Sequence, residues 1–130
     1  MENEVLAAYE RLVSDFREGR DTFGNFADEA TIVDGGTWFG SLAEYRAGWD
    51  AWTASEGDIA VPLSVETRVM SVHVRGDTAV LVHSIESRQR TDAGQEIERE
   101  IETIVFGRQP GGRWLVVHQH LSPAARPLGA

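Results

Sequence analysis

An acidic residue beside apolar sequence is the first candidate for chemistry in this chain. Asp34 follows the apolar pair Ile32-Val33. Removing a proton next to a carbonyl group needs a carboxylate held in dry surroundings, because a fully solvated carboxylate is too weak a base. Asp34 is therefore a candidate general base. The alternative interpretation is that Asp34, which precedes Gly35-Gly36, caps a hairpin turn.

A second candidate acid, Glu102, ends a series of four glutamates at alternate positions that begins at Glu96. Alternate residues of a β-strand point to the same face, so Ile104 and Phe106 continue the face of Glu102. This apolar continuation predicts that the later part of the face is covered, with Glu102 and Ile104 in a pocket. The alternative is a solvated acidic face.

Aromatic residues concentrate around one predicted helix. Leu42, Tyr45, Trp49 and Trp52 recur at helical spacing, and Trp38 lies just before them. Three large rings on one short helix exceed what a small core usually needs, so they would suit a flat apolar ligand. The alternative is that they only pack the core.

Two further sets of polar residues allow more than one interpretation. Glu86 ends an apolar strand face, from which it could reach a pocket or pair with Arg88 or Arg99. His118 and His120 alternate on one strand and so share a face, a pattern found in zinc sites. Because the sequence fixes no third ligand and has no HExxH motif, we predict no metal and no cofactor.

The spacing of apolar residues predicts helices first and a large sheet afterwards. An amphipathic helix runs from Glu2 to a stop at Gly19, and Asp21 caps a short second helix that carries Phe23 and Phe26. A strand at 31–34 turns back through Trp38. Ser41 and Glu44 form a capping box for a third helix that ends at Gly57. Four long strands with turn residues between them follow, and they span Val61–Arg75, Thr78–Arg90, Glu96–Arg108 and Arg113–Ser122.

This order predicts an α+β fold in which helices pack on one face of a curved antiparallel sheet. Strands this long must curl, and a curled sheet closed by helices makes a cone with an apolar pocket. We assign residues 1–122 to one domain and residues 123–130 to an extended tail.

Composition excludes several classes of partner. The 130 residues suit one domain, and the formal net charge of −9 leaves no basic stripe for nucleic acid or anionic membranes. No cysteine is present for disulfides, and no apolar run approaches the ~20 residues of a membrane span. Residues 1–4 lack a basic segment typical of secretory signals, so we expect a cytoplasmic protein. All twelve basic residues are arginine, a usage associated with GC-rich bacterial genomes.

Two segments resemble a known superfamily, the nuclear transport factor 2-like or SnoaL-like proteins. The stretch 26–34, Phe-Ala-Asp-Glu-Ala-Thr-Ile-Val-Asp, is similar to the segment that carries the catalytic base of ketosteroid isomerases. The stretches 102–106 and 112–122 resemble the end of the association domain of calmodulin-dependent kinase II. The likeness extends from about Val5 to Ser122, and it implies the cone-shaped fold.

The resemblance also implies roles for particular residues. Asp34 falls on the isomerase base, and Glu102 falls on the acid that donates a hydrogen bond to the substrate oxygen, a pairing that serves as a standard example of tuned carboxylates. The tyrosine that assists them in the isomerases is replaced, since its position falls near Leu12 and Tyr9 lies almost one turn away. The arginines that enter the pocket of the kinase domain are also missing, so no basic pocket for anions is expected.

By the same resemblance, alternate residues of the last strand separate into a pocket face and an interface. Trp114, Val116, His118 and His120 are expected on the convex face that packs against a second subunit, so we predict a homodimer. Leu115, Val117, Gln119 and Leu121 are expected to line the cone. The residues expected to contact a ligand are Phe16, Phe26, Trp38, Tyr45, Trp49, Trp52, Glu86, Ile104, Gln119 and Leu121.

Two functions remain open on the sequence alone. The first is a small isomerase or cyclase that acts on a hydrophobic carbonyl compound, with Asp34 as base and Glu102 as hydrogen-bond donor. The second is a ligand-binding or assembly domain without catalysis. The segment around Asp34 favours the enzyme, and the missing tyrosine favours the second function.

Overall fold

The computed structural model describes residues 1–56 and 62–125, which form two helices packed on one six-stranded mixed sheet that does not close. The α+β class predicted from the sequence is confirmed. The elements are α1 (Glu2–Arg17), a single 3₁₀ turn (Phe23–Asn25), β1 (Phe26–Asp34), β2 (Thr37–Phe39), α2 (Leu42–Glu56), β3 (Ser64–Arg75), β4 (Thr78–Thr91), β5 (Gly94–Arg108) and β6 (Trp114–Pro123).

The strand order across the sheet is β2-β1-β6-β5-β4-β3. Strands β3 to β6 form the antiparallel meander that their short separating turns predict. The parallel pairing of β1 with β6 was not predicted. It arises because the last strand of the meander returns beside the first strand of the chain, which gives the sheet its mixed character.

Helix α1 packs its apolar stripe against the sheet. Its buried residues recur at the intervals of one helix face, and among them Val5, Tyr9 and Leu12 are each at most 8% exposed to solvent. Fully burying such a side chain stabilises the fold by roughly 1.5–3 kcal/mol. The helix ends before Gly19, whose φ of 69° is left-handed and is adopted readily only by glycine. The helix therefore holds the polar tip of Tyr9 against the inner face of the sheet.

Helix α2 begins at the capping box that the sequence predicts. The backbone N–H of Glu44 donates to Ser41 Oγ at 3.1 Å, and the carboxylate of Glu44 accepts from the N–H of Gly40 at 3.0 Å. The reciprocal bond thus reaches Gly40 rather than the cap residue itself. The predicted stop at Gly57 lies outside the described residues, as do the last five residues of the predicted tail.

The segment before β1 differs from the prediction of a helix that carries Phe23 and Phe26. Asp21 Oδ1 accepts a hydrogen bond from the N–H of Phe23 at 2.9 Å, but only one 3₁₀ turn follows. Phe26 then begins β1, which is five residues longer at its start than the predicted strand. The extended pairing of β1 with β6 outweighs the short helical spacing of the two rings.

A β-bulge in β6 changes which residues face the core. Phe106 pairs with Val116 and Val105 pairs with His118, so Val117 has no partner on β5. Before the bulge, Trp114 and Val116 point inward and are buried; after it, Gln119 and Leu121 point inward. The prediction that side chains alternate between the two faces without interruption along β6 is therefore wrong at Val117.

Neither of the two helices in the described part of the chain is long and apolar enough to cross a membrane.

Candidate functional site

A cavity of about 430 Å³ lies between the helices and the inner face of the sheet. This volume is in the range of small-molecule sites. One wall is aromatic and comes from the helices, the 3₁₀ turn and the first strands; its members are Phe16, Phe23, Phe26, Phe39, Tyr45, Trp49 and Trp52. The opposite wall is the inner face of the sheet, and its polar members include Asp34, His83, Glu98, Glu100, Glu102 and Gln119.

The sheet register brings acids from distant strands into one row. Leu121 of β6 pairs with Asp34 of β1 on one side and with Glu102 of β5 on the other. Glu102 in turn pairs with His83 of β4. Because side chains in register on one face point the same way, these residues form one row across the floor of the cavity, with the apolar Leu121 between Asp34 and the Glu102–His83 pair.

Asp34 lies half-buried at the end of β1 and lines the cavity. Burial raises the pKa of its carboxyl group above the ordinary value, and a hydrogen bond with Tyr45 partly offsets the rise. A carboxylate with a raised pKa is a stronger base than a solvated one. Asp34 therefore combines access to the cavity with the basicity that proton abstraction needs.

Glu102 is buried in a chain of hydrogen bonds that also contains a histidine and a tyrosine. Its Oε1 atom lies 2.7 Å from His83 Nε2, and His83 Nδ1 lies 2.8 Å from the Tyr9 hydroxyl. All three residues are at most 6% exposed. Burial raises the pKa of the Glu102 carboxyl group, and the contact with His83 opposes the rise.

Glu100 is a cavity acid that sequence reasoning did not select as a site residue. Burial, together with the nearby carboxylates of Glu98, Asp34 and Glu102, raises its pKa to about 7. Such a group is partly protonated at neutral pH, which suits a general acid. The signal was present in the alternating glutamates, which change from exposed at Glu96 to buried at Glu102.

Tyr45 and Gln119 connect the two candidate acids. Tyr45 hydrogen-bonds Asp34 and Gln119, and Gln119 also hydrogen-bonds Glu102. Burial and the neighbouring carboxylates raise the pKa of the Tyr45 hydroxyl, so it stays protonated and can donate. The floor of the cavity is thus one connected network of donors and acceptors.

Most of the residues expected at a ligand site lie together around this cavity. Asp34 and Glu102 are on its floor, and the others that line it are Phe16, Phe26, Tyr45, Trp49, Trp52, Gln119 and Leu121. Trp49 is in ring contact with both neighbours, at a centroid distance of 6.4 Å from Phe16 and 5.2 Å from Trp52. The rings therefore form one surface against which a flat ligand could stack.

Three residues expected at the ligand site lie elsewhere. Trp38 is 61% exposed, because the short strand β2 turns its side chain away from the cavity while Phe39 faces inward. Ile104 is fully buried in the hydrophobic core; it is in register with Gln119 but does not line the cavity. Glu86 is on the outer face of β4, where Arg99 Nε lies 3.0 Å from its carboxylate. The ion pair considered for Glu86 is the one observed.

The assignment of Trp114 and Val116 to the outer face is also wrong, because both are buried in the core. Trp114 is 3% exposed, and its Nε1 donates to Glu4 of α1 at 3.1 Å, because the bulge at Val117 reverses the alternation. Leu115 and Val117 accordingly do not line the cavity. His118 and His120 do face outward. His118 Nδ1 is 2.8 Å from the Thr31 hydroxyl, and within residues 1–56 and 62–125 no three potential ligands are grouped to hold a metal ion.

Tyr9 and His83 are two further polar residues that the sequence analysis did not select as site residues. A tyrosine within the apolar stripe of α1 needs a partner for its hydroxyl when it is buried. His83 alternates with Ala79 and Leu81 on the buried face of β4, and it is the matching polar group. The two positions are 74 residues apart, so only the fold brings them together.

Comparison with known proteins agrees with this architecture. A sequence model of the SnoaL-like domain family matches residues 5–126. No curated protein matches the chain in sequence. Among solved structures, a ketosteroid isomerase-like protein from Erwinia carotovora atroseptica is similar, with a TM-score of 0.76 and 12% identity over 92% of this chain and 93% of that chain.

Two other similar structures come from different kinds of protein. The CaMKII hub of S. rosetta has a TM-score of 0.73 and 21% identity over 94% of this chain and 95% of that chain. An NTF2-like protein of Shewanella oneidensis MR-1 has a TM-score of 0.73 and 10% identity over 93% and 98% of the two chains. At these identities the likeness establishes the fold alone.

Proposed function

The chain belongs to the SnoaL-like domain family, and we propose that it binds a neutral, hydrophobic carbonyl compound in the cavity and catalyses isomerisation or cyclisation by proton transfer at Asp34. The observation that carries this proposal is the placement of Asp34 and Glu102 on either side of Leu121, on the floor of an aromatic-walled cavity. The similarity to a ketosteroid isomerase-like protein supports the same reading.

The lining of the cavity supports a ligand without negative charge. It contains four carboxyl groups, of Asp34, Glu98, Glu100 and Glu102, and no arginine among the residues that the structure describes there. An anionic ligand would be repelled by these groups and would find no cation to pair with. A flat, neutral ring system would instead replace water against the rings of Phe16, Trp49 and Trp52.

The proposed reaction begins with Asp34 in its carboxylate form. Asp34 takes a proton from the carbon next to the carbonyl group, and the electron pair of that C–H bond shifts towards the carbonyl oxygen to form an enolate. A hydrogen bond from the protonated carboxyl group of Glu102 stabilises the oxygen as its charge develops. Return of the proton from Asp34 to another carbon completes an isomerisation and regenerates the carboxylate.

Binding of matched aromatic probes tests the ligand class. We expect 2-naphthol, a neutral planar phenol whose oxygen resembles that of an enol, to bind in isothermal titration calorimetry at neutral pH. Naphthalene-2-carboxylate has the same rings and a negative charge, and we expect it to bind at least roughly tenfold more weakly, a difference of about 1.4 kcal/mol. Equal affinity for the two compounds, or tighter binding of the carboxylate, would contradict the proposed ligand class.

A second candidate function, assembly of a homodimer, is favoured by the outer face of the sheet. Three neighbouring rows of residues cross β4, β5 and β6, two of them continuing onto β1, without a single Asp, Glu or Arg, although charged residues make up 25% of the chain. The rows are Val80, Val105, His118 and Thr31; Val82, Thr103, His120 and Val33; and Ser84, Ile101 and Ser122. Such an uncharged face favours contact with a second copy of this chain, and the similarity to a CaMKII hub supports assembly.

A charge placed in the middle of this outer face tests the dimer. We expect light scattering to give twice the chain mass for the wild type and the chain mass itself for Thr103→Arg, because an unpaired arginine is costly inside an interface. Ala7→Arg, at an exposed position of α1 on the opposite side of the sheet, is the control and should remain dimeric. A monomeric wild type would rule out this function.

A further inference from the structure

The Tyr9, His83 and Glu102 chain has a direction that the mechanism above does not use. Tyr9 contacts Nδ1 of His83, and Glu102 Oε1 contacts Nε2, so both ring nitrogens are occupied. Glu102 and His83 line the cavity, whereas Tyr9, which belongs to α1, does not. His83 can therefore act on a ligand only through Glu102.

The protons available to the chain limit its possible arrangements. A neutral imidazole carries one N–H, and an ionised carboxylate can only accept. If Tyr9 donates to Nδ1, the ring proton must be on Nε2, where it meets Glu102 Oε1. If instead Nδ1 carries a proton and donates to Tyr9, Nε2 either accepts a hydrogen bond from the protonated carboxyl group of Glu102 or is itself protonated, which makes the ring a cation. The orientation of the Tyr9 hydroxyl proton thus decides whether Nε2 of neutral His83 donates a hydrogen bond to Glu102 or accepts one from it.

The neighbours of Tyr9 favour the first arrangement. Arg17 can only donate, and its Nη2 atom is 3.2 Å from the Thr67 hydroxyl oxygen. Thr67 also hydrogen-bonds Tyr9. When the Thr67 hydroxyl donates to Tyr9, each group donates to the next one in the chain. Arg17 donates to Thr67, Thr67 to Tyr9, Tyr9 to His83, and His83 to the Glu102 carboxylate.

We propose that Tyr9 and His83 are positioning residues. Tyr9 holds His83 as the neutral Nε2–H tautomer, and His83 thereby directs the acidic proton of Glu102 to Oε2. Oε1 is occupied as the acceptor of the His83 N–H, so a proton added to Glu102 is left to Oε2. There the oxygen of a ligand can accept the hydrogen bond, whereas the side-chain amide of Gln119 donates to Glu102 when the carboxyl group is ionised. The inference deepens the proposed function, because it rests on the role of Glu102 as the group that meets the ligand oxygen.

Other titratable groups surround this unit and contribute to its protonation. Glu10 and Arg17 of α1 interact with Tyr9, and Asp34 of β1 interacts with Glu102. Tyr45 of α2 and Glu100 of β5 also interact electrostatically with Glu102. Since Glu10 and Arg17 are exposed, and Asp34 and Glu100 face the cavity, the hydrogen bonds of His83, rather than a single charge, set the direction of the chain.

The ring nitrogens of His83 provide the direct test, in the ligand-free wild-type protein. We expect ¹H–¹⁵N correlation spectra at neutral pH to show a protonated Nε2 and an unprotonated Nδ1 that accepts a hydrogen bond. Tyr9→Phe should shift the Nδ1 resonance of His83 and leave that of His118 unchanged. Thr31→Val, which removes the hydroxyl 2.8 Å from His118 Nδ1, is the matched control and should do the reverse. A proton on Nδ1 of wild-type His83 would overturn the inference.

Binding of oxygen-bearing and oxygen-free probes tests the consequence for the ligand. His83→Leu should lower the affinity for 2-naphthol roughly tenfold, the usual effect of losing one hydrogen bond to a charged group. His83→Gln, whose amide can replace the Nε2–H donor, should restore most of it. Both variants should bind naphthalene, which has no oxygen, with the affinity of the wild type. Equal losses for both probes would mean that His83 only supports the fold, and the inference would fail.

Failure of the inference can be distinguished from failure of the proposed function. If the wild-type protein has the Nε2–H tautomer but binds neither aromatic probe, the proposed ligand is wrong and the direction of the chain stands. If the protein binds 2-naphthol with His83 protonated on Nδ1, the ligand class stands and the positioning role is wrong.

Discussion

Asp34 of β1 and Glu102 of β5 stand directly opposite the same residue, Leu121 of β6, from its two sides. Neighbouring strands are about 4.8 Å apart, so the two backbones are roughly 10 Å apart across the cavity floor. A planar ligand above Leu121 could therefore meet one acid at each end. This spacing suits a reaction in which one end of a carbonyl system loses a proton while the oxygen at the other end is stabilised.

Replacing Asp34 by asparagine should stabilise the protein. Burial raises the pKa of Asp34, so its ionised form is a net cost to the fold at neutral pH. We expect Asp34→Asn to increase the free energy of unfolding by about 0.5–2 kcal/mol, the usual gain from one stabilising substitution, and to raise the Tm by a few degrees. Thermal melts at neutral pH measure this effect.

The control for this comparison is Asp28→Asn, which removes one charge from an exposed position of the same strand. If Asp34→Asn melts at or below the temperature of the control, Asp34 is a turn cap rather than a cavity acid.

The raised pKa of Glu100 should make stability depend on pH. Its folded value of about 7 exceeds the ordinary value of 4.5, so between these values the folded state binds more protons than the unfolded state. The contribution of Glu100 to the free energy of unfolding therefore falls as the pH rises from 4.5 to about 7. Above pH 7 the ionised Glu100 destabilises the folded state to its full extent. We expect Glu100→Gln to flatten the dependence and to add about 1–2 kcal/mol above pH 7, a figure reduced for the partial exposure of the group.

Urea unfolding at several pH values measures the dependence on Glu100. Glu96→Gln, at an exposed position of the same strand, is the control for the change in net charge. Identical pH profiles for the two variants would show that Glu100 is solvated.

The aromatic wall should hold the ligand through Trp49. Its ring contacts Phe16 and Trp52, and all three line the cavity. We expect Trp49→Ala to weaken binding of 2-naphthol roughly tenfold, because an aromatic contact and its buried area together contribute about 1–2 kcal/mol. Isothermal titration calorimetry measures the affinity.

Trp38→Ala is the matched control, because Trp38 is 61% exposed and outside the cavity. Its affinity for 2-naphthol should equal that of the wild type. A larger loss from Trp38→Ala than from Trp49→Ala would place the ligand elsewhere.

The sequence predicts the elements better than it predicts the inner face of the last strand. Helical spacing and the Ser41 capping box identify α1 and α2, because these signals are local. The bulge at Val117 depends on pairing with β5, which no pattern within β6 reveals. Strict alternation therefore gave Gln119 and Leu121 their correct face but put Trp114 on the wrong one.

The candidate site was predictable where a residue type alone carried the signal. Asp34 and the rings of Tyr45 and Trp49 were found because an acid beside apolar residues, and aromatics at helical spacing, are unusual. Tyr9 and His83 were not paired, since their hydrogen bond joins a helix to a strand 74 positions away. Long-range pairing of this kind follows from the strand register, which no local pattern in the sequence reveals.

Exchange of hydrogen for deuterium at the carbon next to a carbonyl group tests the central claim most directly. In D₂O, 2-tetralone, a neutral bicyclic ketone, should exchange its α-protons faster with the wild-type protein than in buffer alone, as followed by ¹H NMR. Asp34→Asn should reduce the protein-dependent rate at least about 100-fold, the usual effect of losing a general base. Asp28→Asn should leave the rate unchanged. Exchange at the wild-type rate in Asp34→Asn, or no acceleration by the wild type, would contradict the assignment of Asp34 as the base.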